Sequence, residues 1–130
     1  MKLLLDTHVF LWYISDDPRL PAAHDEAIKD SSNEVFLSVV SVWEATVKHK
    51  IGKLSLPLQP AIYLPSQRER HEILSLPLDE PSVAELSMLP DVHRDPFDRM
   101  LICQARHHQL TVVTVDPMFR HYPVDLLDSK

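Results

Sequence analysis

Apolar residues fall along the chain in short runs and helical stripes punctuated by prolines and acids, a pattern that predicts alternating strands and helices. Lys2 to Leu5 is a compact apolar run before Asp6, as expected of a strand covered on both faces. Val9, Phe10, Trp12, Tyr13 and Ile14 then fit a short helix ending near Asp16 and Asp17, and the segment 21–30 is helix-compatible. Val35 to Leu37 predicts a second strand. The apolar spacing from Val39 to Val47 predicts a helix that carries Glu44 and is closed by Gly52. After a proline-marked connection over 56–60, a helix is expected over 61–69 with a break or bend at Pro65. Ile73 to Leu76 predicts a third strand, and 81–88 a helix opened by Asp79 or Glu80. Pro96 to His108 predicts a long helix, Leu110 to Val115 a β-branched strand ending in Asp116, and 124–127 a last edge strand. Strands separated by helices require crossover connections. The expected fold is therefore α/β, a three-layer α/β/α sandwich around a mostly parallel central sheet.

With 130 residues the chain is expected to form a single domain spanning 1–130. Thirteen Lys and Arg stand against 19 Asp and Glu, and a net charge of −6 argues against attraction to nucleic acid over the whole surface. A local basic groove beside an acidic site stays compatible with it. The lone Cys103 can form no internal disulfide and no thiolate zinc site, which fits a reducing cytoplasm. The apolar stretch from Leu3 to Ile14 contains Asp6 and His8, too short and polar for a membrane span and without the flanks of a signal peptide, so no membrane association is expected. His107 and His108 end the long helix without a matching Cys or His pair, and zinc is not expected there. Trp12, Trp43, Phe97, Phe119 and Cys103 are assigned to the core.

In parallel α/β sheets the carboxyl ends of strands and the amino ends of helices share one edge, and ligands bind there. Asp6 and Asp116 end two strands, Glu44 lies in the second turn of its helix, and Asp98 lies in the first turn of another. Four carboxylates from separate segments are thus expected near one pocket. Like charges so close repel unless one takes up a proton or a cation neutralises them. Oxygen-only donor sets favour Mg²⁺ or Mn²⁺, ions that polarise phosphoryl oxygens and acidify water, which points to phosphodiester hydrolysis. Each acid also has a plainer reading. Asp98 can complement the dipole of a helix capped by Asp95 and begun by Pro96, Glu44 can pair with Lys48 at i,i+4, and Asp6 and Asp116 can bond turn amides. Pattern alone leaves both readings open.

The segments Leu3-Leu4-Leu5-Asp6-Thr7-His8, Ser41-Val42-Trp43-Glu44, Asp95-Pro96-Phe97-Asp98-Arg99 and Val113-Thr114-Val115-Asp116 stand in the order and spacing of PIN-domain ribonucleases. Essentially end to end, the chain resembles VapC-type toxins of bacterial toxin-antitoxin pairs. The resemblance implies an Mg²⁺- or Mn²⁺-dependent endoribonuclease with Asp6, Glu44 and Asp98 as metal ligands and Asp116 as a looser or water-mediated one. Thr7 and Thr114 carry over as hydroxyl neighbours that orient a carboxylate, or else serve only in capping and strand pairing. Asp95 reads as a cap, and His8 either reaches phosphate or faces the helix surface. Lys48, Arg94 and Arg99 could contact RNA phosphates, whereas Lys50 and Lys53 fit a solvated helix end better. The implied partners are RNA, a cognate antitoxin whose tail presents an arginine to the acids, and a second copy of the chain, paired through residues near Leu11, Trp12 and Tyr13 or through the middle segment. Two alternatives compete. One is a catalytically silent PIN-like module that binds protein or RNA. The other is a receiver-like phosphoacceptor, which would want paired acids after the first strand and a lysine after the last. Here Thr7 follows Asp6 and no lysine lies near Asp116.

Overall fold

A computed structural model describes residues 1–92 and 95–128. Four strands, β1 (Lys2–Leu5), β2 (Glu34–Ser38), β3 (Leu74–Leu76) and β4 (Thr111–Val113), form one sheet in the order β3-β2-β1-β4, and every pairing is parallel. Leu3, Leu4 and Leu5 of the central strand β1 are all fully buried, but they serve opposite faces. Leu4 packs with Val112, Leu101, Ile102 and Phe119 on one side, while Leu3 and Leu5 pack with Val9, Phe10, Leu37, Leu64 and Val113 on the other. The alternation of a strand thus splits one apolar run between two cores.

Among the described residues, six helices supply the outer layers: α1 (Thr7–Ile14), α2 (Ala22–Lys29), α3 (Val39–Lys50), α4 (Pro60–Arg70), α5 (Glu80–Ala84) and α6 (Pro96–His108). The connections β1 to β2 and β2 to β3 step in one direction across the sheet, and β3 to β4 steps back past both. Crossovers of constant hand therefore place α5 and α6 on the opposite face from α1, α2 and α4, as the membership of the two cores requires. The direction reverses between β1 and β4. Such a switch point opens a crevice at the carboxyl edge, and both strands there lead into an aspartate.

The sequence-derived elements recur with local differences. Gly52, at φ 79°, follows α3 in a left-handed turn in which the Lys53 amide bonds the Lys48 carbonyl at 2.8 Å and the Gly52 amide bonds that of His49 at 3.1 Å. Glycine adopts this conformation without the Cβ penalty that other residues incur. Of the break or bend expected at Pro65, no break occurs: α4 runs as one helix from Pro60 to Arg70. Fully buried Leu64 anchors that turn in the core and offsets the hydrogen bond that Pro65 cannot donate. The helix expected over 81–88 is instead α5 followed by a 3₁₀ turn at Glu85–Met88, a common tightening at a helix end. The segment 124–127 forms no strand of its own. Leu126 makes a single parallel bridge to Val112, flanked by Val112 N–H to Asp125 O and Leu127 N–H to Val112 O, each 2.9 Å.

Candidate active site

Asp6 is the N-cap of α1, one residue beyond β1, and its Oδ1 accepts the His8 amide at 3.0 Å. Its other oxygen, Oδ2, accepts a 2.6 Å hydrogen bond from Thr114 Oγ1 just past β4. Thr114 Oγ1 in turn accepts the Asp116 amide at 3.1 Å. The turn-residue reading of Asp6 is therefore present at Oδ1, while Oδ2 is tied to the loop after β4. Burial pushes the Asp6 carboxyl above the ordinary carboxylate range, and nearby Glu44 adds to the effect; the Thr114 hydroxyl, the His8 amide and the His8 side chain oppose it without cancelling it.

Glu44, on the second turn of α3, is buried. Thr7 Oγ1 lies 2.7 Å from Glu44 Oε1 and 2.7 Å from Ser41 Oγ. A carboxylate only accepts and a hydroxyl carries one proton, so Thr7 donates to Glu44 and Ser41 directs its proton to Thr7. Lys48, one helical turn on, pairs with Glu44 Oε2. Burial opposes the charge on Lys48, but the hydrogen bond and charge of Glu44, with Asp95 and Asp98 beyond, outweigh it and hold the ammonium above the ordinary lysine value. The i,i+4 pairing expected of Glu44 is present, yet it points into a shared cavity rather than along an open helix face.

Asp95 caps α6, its Oδ1 accepting the amides of Phe97 at 2.9 Å and Asp98 at 3.2 Å. Capping therefore falls to Asp95, as the sequence suggested, and not to Asp98. Asp116 caps the 3₁₀ turn Pro117–His121 through a 2.9 Å bond from the Met118 amide. Asp6, Glu44, Asp98 and Asp116, together with Asp95, His8, Trp12, Lys48 and Val115, line one cavity of about 350 Å³ at the switch point. Five carboxylates thus face a single space with one ammonium among them. Their donor set is all oxygen, which suits a hard divalent cation.

A PIN domain family model matches residues 3–125. The chain belongs to the PIN domain family. It is 27% identical over 122 residues to Ribonuclease VapC22 of Mycobacterium tuberculosis, a match covering 92% of this chain and 91% of that protein. Among solved structures, VapBC2 of Rickettsia felis bound to a promoter DNA fragment superposes with a TM-score of 0.71 at 16% identity, covering 98% of both chains. DNA-bound VapBC of Salmonella typhimurium superposes with a TM-score of 0.68 at 17% identity, covering 98% of this chain and 97% of that one. PIN membership removes the receiver-like alternative.

The other residues singled out in the sequence fall partly inside and partly outside this cavity. The Arg99 guanidinium does not line the cavity: Nη1 donates to Pro90 O at 3.0 Å and lies 3.4 Å from Tyr122 Oη. Arg94 lies outside the described residues. Lys50 and Lys53 are exposed at and beyond the end of α3, as a solvated helix end requires. Phe119 and Cys103 are core, but Trp12 is half-buried in the cavity wall, with His8 6.3 Å from its ring and the Arg19 guanidinium 4.9 Å from it. Trp43 is 52% exposed and meets half-buried Phe97 edge-on at 4.7 Å. Sequence reasoning assigned Trp12 to the core because aromatic residues are usually buried, and nothing in its spacing marks it as a cavity wall. Ser41 carries no distinguishing pattern of its own in the sequence, and its contact with Thr7 joins α1 to α3.

Proposed function

We propose that this PIN-domain protein is a divalent-metal-dependent endoribonuclease that acts as the toxin of a toxin-antitoxin pair. The observation that carries the reading is the convergence of Asp6, Glu44, Asp98 and Asp116, from four separate segments, on one cavity at the switch point of the sheet. The similarity to Ribonuclease VapC22 supports an RNA substrate, and the VapBC neighbours support an antitoxin partner.

The donor chemistry fits a hard cation, since the converging carboxylates offer only oxygen and buried Asp6 has Glu44 beside it. Asp6, Glu44 and Asp98 would hold Mg²⁺ or Mn²⁺, with Asp116 in a looser or water-mediated place. When bound, the cation supplies positive charge to the scissile phosphate and acidity to a water. Thr114 and Thr7 fix the Asp6 and Glu44 carboxylates in place, each by a short hydrogen bond. Lys48 holds an ammonium inside the cavity, where it meets phosphate oxygens as RNA enters. Exposed His8 sits on the rim beside the route to Asp6. No protein nucleophile is needed, and Cys103 does not offer one: it is buried, with its thiol pushed up to about 11.

An antitoxin arginine entering the same acidic cavity would block it by replacing the cation with a guanidinium. For a second copy of the chain, α3 offers an apolar stripe. Val39, Trp43, Val47 and Ile51 recur at four-residue intervals and are all exposed, whereas Leu11 and Tyr13 pack against a core. No helix among the described residues is long and apolar enough to cross a membrane, in keeping with action in the cytoplasm. Incubating antitoxin-free protein with mixed tRNA and ribosomal RNA tests the reading. Discrete cleavage in Mg²⁺ or Mn²⁺ and none in EDTA is expected, while equal cleavage in EDTA would reject it. Tight RNA binding without cleavage in either metal would favour a silent binding module.

A further inference from the structure

The far end of α6 carries a second group of metal-ligating side chains that the acidic cavity does not use. Asp79 caps α5, its Oδ1 accepting the Ser82 amide at 2.9 Å. That bond fixes the carboxylate so that Oδ2 faces the last turn of α6, where it lies 3.1 Å from His108 Nε2. The two rings of His107 and His108 stand edge to face, 4.8 Å apart. One potential ligand atom from each of Asp79, His107 and His108 lies within 4.8 Å of the others.

The state of His108 points to a ligand. Its Nε2 is shielded from solvent and makes no aligned hydrogen bond, although a carboxylate oxygen is in range. A solvent-shielded imidazole nitrogen held only by a misaligned carboxylate contact is poorly satisfied. A cation between Nε2 and Oδ2 would satisfy both atoms at once. We propose that Asp79, His107 and His108 form a second cation site, distinct from the acidic cavity, that takes Zn²⁺.

Two imidazoles and one carboxylate suit a borderline-soft ion and not Mg²⁺, which demands oxygen donors. Around tetrahedral Zn²⁺, ligand atoms about 2.0–2.2 Å from the metal lie roughly 3.4 Å apart, so the three atoms close on the ion with side-chain adjustment alone. A carboxylate is deprotonated at neutral pH, as a metal ligand must be. The Ser82 bond to Asp79 is also the kind of outer-shell support that orients a ligand. Ten residues of helix separate His108 from Asp98, roughly 15 Å at the rise of an α-helix, so the two sites share no ligand. Bound Zn²⁺ would tie the end of α6 to the turn that opens α5. Its fourth position is left to water or to a donor from another molecule, and exposed His107 is on the accessible side.

The test is calorimetric titration of tag-free protein with Zn²⁺ in excess Mg²⁺, which keeps the acidic cavity supplied, with thermal melting in parallel. Wild type is expected to bind one Zn²⁺ and to melt higher with it. A His107→Gln/His108→Gln double variant should lose affinity by more than the roughly 10- to 100-fold that loss of an outer-shell partner costs. Asp79→Asn keeps the helix cap, because Asn caps as well as Asp, and should also weaken binding while the metal-free melt stays near wild type. Asp98→Asn protein should bind Zn²⁺ as wild type does. Absence of Zn²⁺ binding in wild type would leave only a His–Asp ion pair and overturn the proposal. Equal binding by the His variant, or binding lost in Asp98→Asn, would equally overturn it and assign the ion elsewhere. Neither readout depends on RNA cleavage.

Discussion

Thr114 donates its hydroxyl proton to Asp6 Oδ2 at 2.6 Å, joining two residues that are 108 positions apart in the chain. The contact exists because β1 and β4 are neighbours in the sheet, with the Asp6 amide continuing their ladder to Val113 O at 3.0 Å. The same hydroxyl accepts the Asp116 amide, so one threonine aligns the loops that bear two of the acids. Thr114→Val keeps the shape and removes both bonds. It should lower RNA cleavage by about 10- to 100-fold, as loss of an outer-shell partner does, with little change in melting temperature. Cleavage assayed at saturating metal and at limiting metal will show whether the loss follows weaker metal affinity.

The environment of Asp6 makes a second prediction. Its carboxyl is raised above the ordinary value of 3.8, chiefly by burial. The unfolded chain therefore releases this proton at lower pH than the folded one. Any advantage of the folded state from this group is complete below the unfolded value and is lost as pH rises through the folded one. At neutral pH the ionised, metal-free site thus costs stability. Asp6→Asn can still accept the His8 amide and cap α1. It should raise the metal-free melting temperature at neutral pH by a few degrees, abolish the rise that Mn²⁺ gives wild type, and abolish cleavage. Thermal melts with EDTA and with Mn²⁺ check this.

His24, which does not line the acidic cavity, provides a separate pH dependence. It is fully buried on α2, and neither ring nitrogen makes an aligned hydrogen bond. Burial lowers its pKa below 6.5, and the Leu127 backbone and Asp128 carboxylate offset this only in part. Below the ordinary histidine value the unfolded chain takes up a proton that the folded chain refuses. Stability is therefore intact above that pH and falls as the medium is acidified towards the folded value. His24→Leu should flatten the difference in melting temperature between pH 7.5 and pH 5.5, roughly one unit either side of the reference value. A slope unchanged from wild type would place the acid sensitivity elsewhere.

Much of the fold is legible in sequence because its elements are short and strongly patterned. Three consecutive leucines before an acid describe a central strand in any parallel sheet, and Pro96 after Asp95 marks a helix start at once. The two acids that end strands and the two that begin helices share an edge by topology alone. Distances and orientation were not legible. Whether Asp98 or Asp95 caps α6 depends on which carboxylate reaches the amides, and either spacing is compatible with capping. Arg99 flanks an acid in sequence, yet the helix turns its guanidinium to Pro90 O. The pairing of Asp79 with His108 crosses from the start of α5 to the end of α6 and leaves no local pattern, so a histidine pair alone gave no reason to expect zinc. Trp43 is apolar by composition but exposed, because α3 turns only part of its apolar surface to the two cores.

In the proposed function Asp98 belongs to a cation-holding carboxylate site that cleaves RNA, while Asp95 serves the helix. Cleavage of mixed tRNA and ribosomal RNA in Mn²⁺ by Asp98→Asn and Asp95→Asn, each confirmed as folded by its melting curve, tests this most directly. Asp98→Asn is expected to lose cleavage by at least about 100-fold, the scale of a lost electrostatic contact at the reacting group. Asp95→Asn, whose amide still caps α6, should keep activity within a few-fold of wild type. Equal cleavage by wild type and folded Asp98→Asn would contradict it.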